Sequence, residues 1–541
     1  MKNYKFLLKT PLKKQWQKIG IRKRAGTIFP LFSIFSKESL GIGEIPDLKL
    51  VIDWSEITGN TVLQILPLND TGFDFSPFNP KSSFALDPVY LSLRSLIGVK
   101  KENLEGEIND LIEKFSLDVE RPLKTKFVNW QIKKEKLNKL WQIFLERAKF
   151  PSKFQKFVKK QKFWLEDYAL YRVLKEAHQE KSWEDWLRLF KNRSKGVIFE
   201  VRKKYRQKIK FQKWLQWQLF EQFKEIKNYA RKKKIFLKGD LPFSVSRDSA
   251  DVWQNKKYFK LDFASGAPPD HFSTKGQRWG YPPYNWEEIL KDNFIYFRQK
   301  LEYFQNFYDL FRLDHVVGLF RIWAIPVKTL VAKQGKIGFF IPKNKKIWEK
   351  QGRRILESII KNTKMLPCAE DLGTIPSFCP KILEELGIPG LDVQRWKRNW
   401  QNLEYLKPEE YRPLAVATLS THDLNHFPAW WEEEVTKEDF KKFWKMISLK
   451  GKIPRKAEKR LIKKNLELIN HSASIFSILS IFEWLFLTDL LKEKPSQYRI
   501  NIPGKILKRN FSRRLPISLE DLINHPLNNQ IKEIIKKSGR I

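Results

Sequence analysis

Arg312, Asp314 and His315 stand close together near the start of an otherwise apolar segment, "FRLDHVVGLFRIWAIP" (311–326). An ionised carboxylate is costly to bury unless it is paired or has a chemical task. For this stretch alone a structural ion pair, Arg312 with Asp314, is the plainer explanation. Three further acidic residues change the balance. Asp240, Glu370 and Asp423 also end short apolar runs, "KIFLKGDLP" (234–242), "KMLPCAED" (364–371) and "LAVATLSTHD" (414–423), with His422 beside the last. Strand side chains alternate between faces, so Arg312 and Asp314 project to the same side. Four carboxylates at one rim repel one another unless function requires them there.

Such a cluster supports two chemistries. One is divalent-metal binding. The other is glycoside cleavage, which needs one ionised carboxylate and one protonated carboxyl flanking the scissile bond. The chain has no GxxxxGK[ST] loop to cradle phosphates, which weakens the metal-phosphate version of the first. The segment "GAPPDHFSTKGQRWGYPPYNW" (266–286) favours the second, because sugar rings stack on aromatic faces such as Trp279, Tyr281, Tyr284 and Trp286. It is too long and too rich in Gly and Pro for a plain connector and reads as a substrate loop.

The elements that would hold these groups read as alternating strands and helices. Besides the runs above, "GTIFPLFSI" (26–34), "TVLQILPLND" (61–70), "FYDLFRLDH" (307–315) and "GLDVQRW" (390–396) are short, apolar and end in polar residues. This rhythm predicts an α/β fold, a (β/α)8 TIM barrel, whose active site sits at the C-terminal ends of the strands. Residues 96–230 break the rhythm with helical periodicity and read as a large inserted helical subdomain. The expected division is 1–95 for the first part of the barrel with an N-terminal extension, 96–230 for the insert and 231–541 for the rest of the barrel. The apolar stretch "SASIFSILSIFEWLFLTDLL" (472–491) carries Glu483 and Asp489 and reads as a buried core helix, not a membrane span.

Composition narrows the partners. Among 541 residues, 103 Lys and Arg face 61 Asp and Glu, a formal charge of +42. The basic residues are spread along the chain without zinc-finger spacing, basic-zipper pattern or RNP-like motif, so a solvated surface is expected and no specific nucleic acid. Two cysteines, Cys368 and Cys379, make neither a disulfide framework nor a zinc site. With no signal-peptide core, a cytoplasmic location is expected and no membrane partner.

The ordered motifs "SLGIGEIPDL" (39–48), "LQILPLNDTG" (63–72), "SFALDPVYL" (83–91), "GDLPFSVSRDSADVWQNKKYF" (239–259), "RLDHVVGLFRIWAIP" (312–326), "AEDLGTIP" (369–376), "STHD" (420–423) and "RINIPGKILKRNFSRRLP" (499–516) resemble one family. It is the 4-alpha-glucanotransferases (amylomaltases, disproportionating enzymes) of glycoside hydrolase family 77. The resemblance implies a barrel with long active-site loops and no C-terminal β-domain, and α-1,4-glucans and maltooligosaccharides as donors and acceptors. It implies no organic cofactor and no metal. Asp314 falls on the family nucleophile, Glu370 on the general acid/base and Asp423 on the third carboxylate. Arg312, His315 and His422 match sugar-binding positions, and Asp240 an active-site position after the third strand. Gln277 and Trp279 match the loop over the acceptor side, with Tyr281 and Tyr284 beside them. Ser76 and Phe78 match a sugar-facing turn in which many members have Tyr in place of Phe78. "HDLNHFPAWW" after the third carboxylate also departs from the commoner "HDNDT". An α-glucan hydrolase using the same carboxylates, and a catalytically idle basic binder, are the competing readings.

Overall fold

The computed structural model describes residues 4–115, 126–269, 274–330, 333, 335–399, 401–505 and 507–541. Its strands are β1 (Arg24–Phe29), β2 (Val62–Ile65), β3 (Phe236–Leu241), β4 (Phe263–Ala267), β5 (Gln277–Arg278), β6 (Leu310–Leu313), β7 (Ile322–Pro326), β8 (Phe339–Ile341), β9 (Leu366–Ala369), β10 (Gly390–Val393), β11 (Ala415–Thr418) and β12 (Phe476–Ser480). Eight of them form one parallel sheet in the order β10-β11-β12-β1-β2-β3-β6-β9. At the seam the Ala369 N–H donates to the Pro389 carbonyl (2.7 Å), bringing β9 and β10 together. This is the expected (β/α)8 barrel. Strands covered on both faces need continuous apolar runs, and β2, β9, β11 and β12 are buried along their whole length.

One expectation is corrected. Residues 472–491 are not a single buried helix. Phe476–Ser480 is β12, lying between β11 and β1, and Ser480 then caps a short helix, Ile481–Leu485, by accepting from the Phe482 N–H (3.3 Å). A short apolar run is ambiguous between strand and buried helix, and here the Ser residues on either side mark the strand's ends. Among the described residues no helix is long and apolar enough to cross a membrane.

The chain between β2 and β3 is mainly helical, with Leu104–Phe115, Gln131–Arg147, Ser152–Lys160, Lys162–Ala177, Lys195–Lys204 and Arg206–Lys232; residues 116–125 of the expected insert lie outside the described residues. The last helix serves both insert and barrel. Three buried glutamines on it pair with backbone N–H and C=O groups: Gln216 with Leu86, Gln218 with Ile97 and Gln222 with Ser92, all at 2.8–3.0 Å. Farther along, Phe223 stacks on Phe307, just before β6, with ring centroids 4.7 Å apart. The expected end of the insert, residue 230, falls inside this helix. A second, antiparallel sheet, β5-β4-β7-β8, carries the residues around Trp279.

Candidate active site

Gly239 shows why the "GDLP" stretch has its glycine. A Cβ there would lie 2.5 Å from the Tyr308 ring, so only Gly lets β3 pass that close and present Asp240 inward. Asp240 in β3 and Arg312 in β6 are register partners. Asp314 follows β6 directly, Glu370 follows β9, and His422 and Asp423 lie in the turn after β11.

Arg312 gathers three of the carboxylates. Its Nη1 lies 2.8 Å from Asp240 Oδ1 and 2.9 Å from Asp314 Oδ1, and its Nη2 lies 2.7 Å from Glu370 Oε2. The guanidinium thus occupies the place where a divalent cation bridging these carboxylates would sit. Asp314 also accepts from the Phe243 N–H (3.2 Å) and Glu370 from the His315 N–H (3.1 Å). His315 has a left-handed backbone (φ 44°), a conformation that costs a non-glycine residue energy and that the bond to Glu370 helps to hold.

The same guanidinium leaves these acids with different protonation. Burial pushes Glu370 up, to about 8; Arg312 opposes that rise, and Asp314 adds to it. Burial would raise Asp314 as well, but Arg312, a hydrogen bond from the Glu370 carboxyl and the Phe243 N–H hold it below the ordinary carboxylate range. Asp240, fully buried, is pushed up by burial against the pull of Arg312. At neutral pH this corner holds an ionised Asp314 in hydrogen-bond contact with a largely protonated Glu370.

Asp423 stands on the other side of the cleft, more open to solvent than the other three. Asn501 Nδ2 donates to its Oδ1 (2.6 Å), and His422 Nε2 lies 3.4 Å from its Oδ2. Burial would raise its pKa, but His422 and Asn501 bring it down to about 2. The Asp423–His422 pair in turn raises His422 against its own burial. His315, by contrast, is held down to about 4 by burial, with Asp314 opposing and Arg312 adding.

The aromatic walls are distributed over two loops. Phe78 stacks on His422 (centroids 4.2 Å, 12° between planes), and Trp279 sets its edge against His315 (4.7 Å, 83°). Trp279 Nε1 donates to Gln277 Oε1 (2.9 Å), and the Tyr281 hydroxyl donates to the Phe78 carbonyl (2.9 Å), tying the loops together. Ser76 lies half-buried in the same turn as Phe78. Tyr284 is different: it is buried, packed among Phe243, Phe259, Trp286 and Phe297, and supports the site from behind. Residues 270–273 of the expected substrate loop lie outside the described residues.

Two site residues went unnamed in the sequence reading. Asn501, on Asp423, lies in the quoted "RINIPG" motif, which was the available signal. The Phe243 N–H on Asp314 is a backbone group and carries no side-chain signal at all. His426, also unassigned, is buried beneath the turn, with Nδ1 3.2 Å from Ser420 Oγ and Nε2 3.2 Å from the Tyr498 carbonyl.

Comparison with known proteins gives one answer at each level. The family model for 4-alpha-glucanotransferase matches residues 29–519. A 4-alpha-glucanotransferase of Chlamydia pneumoniae is 36% identical over 535 residues, covering 98% of this chain and 99% of its own. In fold, the chain is similar to an amylomaltase from Streptococcus agalactiae solved in complex with acarbose (TM-score 0.80, 23% identity, 96% of this chain and 100% of that one). An amylomaltase from Corynebacterium glutamicum is also similar (TM-score 0.77, 21% identity, covering 97% and 76%).

Proposed function

The chain belongs to the 4-alpha-glucanotransferase family, enzymes acting on α-glucans, and we propose that it works by retaining double displacement with Asp314, Glu370 and Asp423 as its three catalytic carboxylates. The observation that carries this reading is geometric: Asp314 and Glu370 share the Arg312 guanidinium at 2.9 and 2.7 Å, in surroundings that hold Asp314 down and push Glu370 up. A retaining pair sits about 5–5.5 Å apart in the working complex, whereas an inverting pair is spread wider to admit a water. Bonding of both carboxylates to one guanidinium keeps them near each other and favours the first.

In the first step an Asp314 oxygen attacks the anomeric carbon of an α-1,4-glucan. The glycosidic bond breaks, and the Glu370 proton passes to the departing 4-oxygen of the reducing-end fragment. Glu370, now ionised, takes the proton from the 4-hydroxyl of an acceptor glucan, whose oxygen displaces Asp314 and restores both carboxyls. Maltooligosaccharides fit both roles. Asp423, kept ionised by His422 and Asn501, bonds the sugar hydroxyls as charge develops on the ring. Arg312 and Asp240 hold the pair, His315 and His422 face the sugar, and Gln277, Trp279 and Tyr281 line the acceptor side with Ser76 and Phe78 opposite.

Maltotriose as sole substrate tests the reading. The expected outcome is free glucose with a ladder of longer maltooligosaccharides, while total reducing ends stay nearly constant. Reducing ends that climb steadily, with nothing longer than the substrate, would make the chain a hydrolase.

A further inference from the structure

The turn carrying Ser76 and Phe78 belongs to a loop, residues 70–81, that is gripped from outside the barrel. The inserted helix Gln131–Arg147 supplies the grip. Lys133, 1% exposed at its side chain, donates from Nζ to Asp70 Oδ1 (3.0 Å), Asp87 Oδ2 (2.8 Å) and the Gly72 carbonyl. Asp70 also accepts from the Gly72 N–H (3.0 Å) and the Tyr168 hydroxyl (2.9 Å), and Asp87 from the Thr71 N–H (3.3 Å). One turn on, Lys136 is fully buried and donates to Glu44 Oε1 (2.6 Å) and the Val89 carbonyl (2.8 Å). Just before the helix, Trp130 stacks on Phe75 (4.7 Å, 17°), whose backbone is left-handed (φ 64°).

Apolar packing joins a helix to a loop at lower desolvation cost than buried ions do. Two buried lysines facing three carboxylates instead specify one docked position, because each ammonium needs its acceptors at fixed places. The loop so docked carries Phe78, which stacks on His422, the partner of Asp423.

We propose that Trp130 and Lys133 are positioning residues, with Lys136 anchoring their helix to Glu44 and Val89: the inserted helix sets the sugar-facing wall at Phe78 through loop 70–81, without touching substrate. The inference rests on the proposed function, in which Ser76 and Phe78 form a wall of the sugar-binding cleft. Trp130 is the cleaner probe, since its removal leaves no buried charge unpaired, whereas Lys133→Met strands Asp87, leaves Asp70 with Arg172 (3.6 Å), and should lower the melting temperature. In maltotriose disproportionation, Trp130→Ala should raise KM roughly tenfold, equivalent to about 1.4 kcal/mol, with kcat within about twofold of wild type, as loss of uniform binding requires. Trp130→Phe keeps a stacking face and should restore KM. Should Trp130→Ala leave KM unchanged, the helix is a structural strut only and the proposal fails, whatever happens to Lys133→Met. Wild-type enzyme in the same assay checks the underlying reading separately: absence of any disproportionation there would overturn the reaction assignment itself.

Discussion

Arg312 explains most of the site's electrostatics. One guanidinium touching Asp240, Asp314 and Glu370 cannot offset burial for all three: Asp314 is held low, while burial pushes Asp240 and Glu370 up. The pH dependence follows. Activity needs Asp314 ionised and Glu370 protonated, so kcat/KM should hold through neutral pH and fall as pH rises through about 8. A basic limb near 4.5, the ordinary glutamate value, would contradict this assignment. Stability carries the same signature. Because the fold disfavours ionised Glu370, wild type should lose stability relative to Glu370→Gln as pH climbs from about 4.5 towards 8. Thermal melts at several pH values read the difference directly, and parallel curves for the two proteins would refute it. Asp314→Asn should cut transfer by at least about 10⁴-fold, while far-UV circular dichroism and melting temperature stay near wild type; near-normal turnover would remove Asp314 from its role. At this scale the four carboxylates were legible because each follows a strand-like run. Asn501 was half-legible, within a motif whose function no residue type announced. Tyr284 misled, since an aromatic in a turn-rich segment can as well support a wall as form its surface.

The strands were read from runs of apolar residues closed by a polar one, and seven of the barrel's eight were found this way. β12 escaped because "ASIFSILSIFEWLFL" runs from strand straight into helix, with Ser480, the strand's last residue, as the sole mark of the boundary in an otherwise apolar run. The loops were less legible. Nothing in "GQRWGYPPYNW" separates Trp279 and Tyr281, which reach the cleft, from Tyr284, which does not. The antiparallel β4–β5 ladder makes the distinction: it pairs Ala267 with Gln277, and the Trp279 N–H donates to the Ser265 carbonyl (2.9 Å), setting the indole against His315. On the proposed mechanism, a wall at that place would keep water from the glucosyl-enzyme while a sugar acceptor stacks. Trp279→Ala should therefore slow transfer more than hydrolysis, seen as a rising share of reducing ends per bond cleaved. An unchanged ratio would take Trp279 off the acceptor wall.

For the whole molecule, our proposals assign the chemistry to the barrel and the fixing of its rim to the helical region between β2 and β3. The helix Arg206–Lys232 is one continuous amphipathic pattern that serves the region between β2 and β3 and the barrel in turn. The charge of +42 belongs to this scale as well. Many basic residues are engaged locally, as in Lys175 with Asp248 (2.7 Å) and Lys213 with Glu166 (2.5 Å). We expect the remainder to be a solvated surface. Glucan transfer should then vary little with moderate salt, and any DNA binding should vanish steeply as salt rises. Sequence-selective DNA binding that persists at physiological ionic strength would instead make nucleic acid a partner.

The central claim is a covalent glucosyl-enzyme on Asp314, and trapping it is the most direct measurement. A fluorinated α-glucosyl fluoride that forms the ester quickly and releases it slowly should add one sugar mass to the intact protein. Peptide mapping should place that mass on the fragment containing Asp314, with longer maltooligosaccharide acceptors removing it. A label on Glu370 or Asp423, or turnover with no labelled enzyme at any time, would contradict the account.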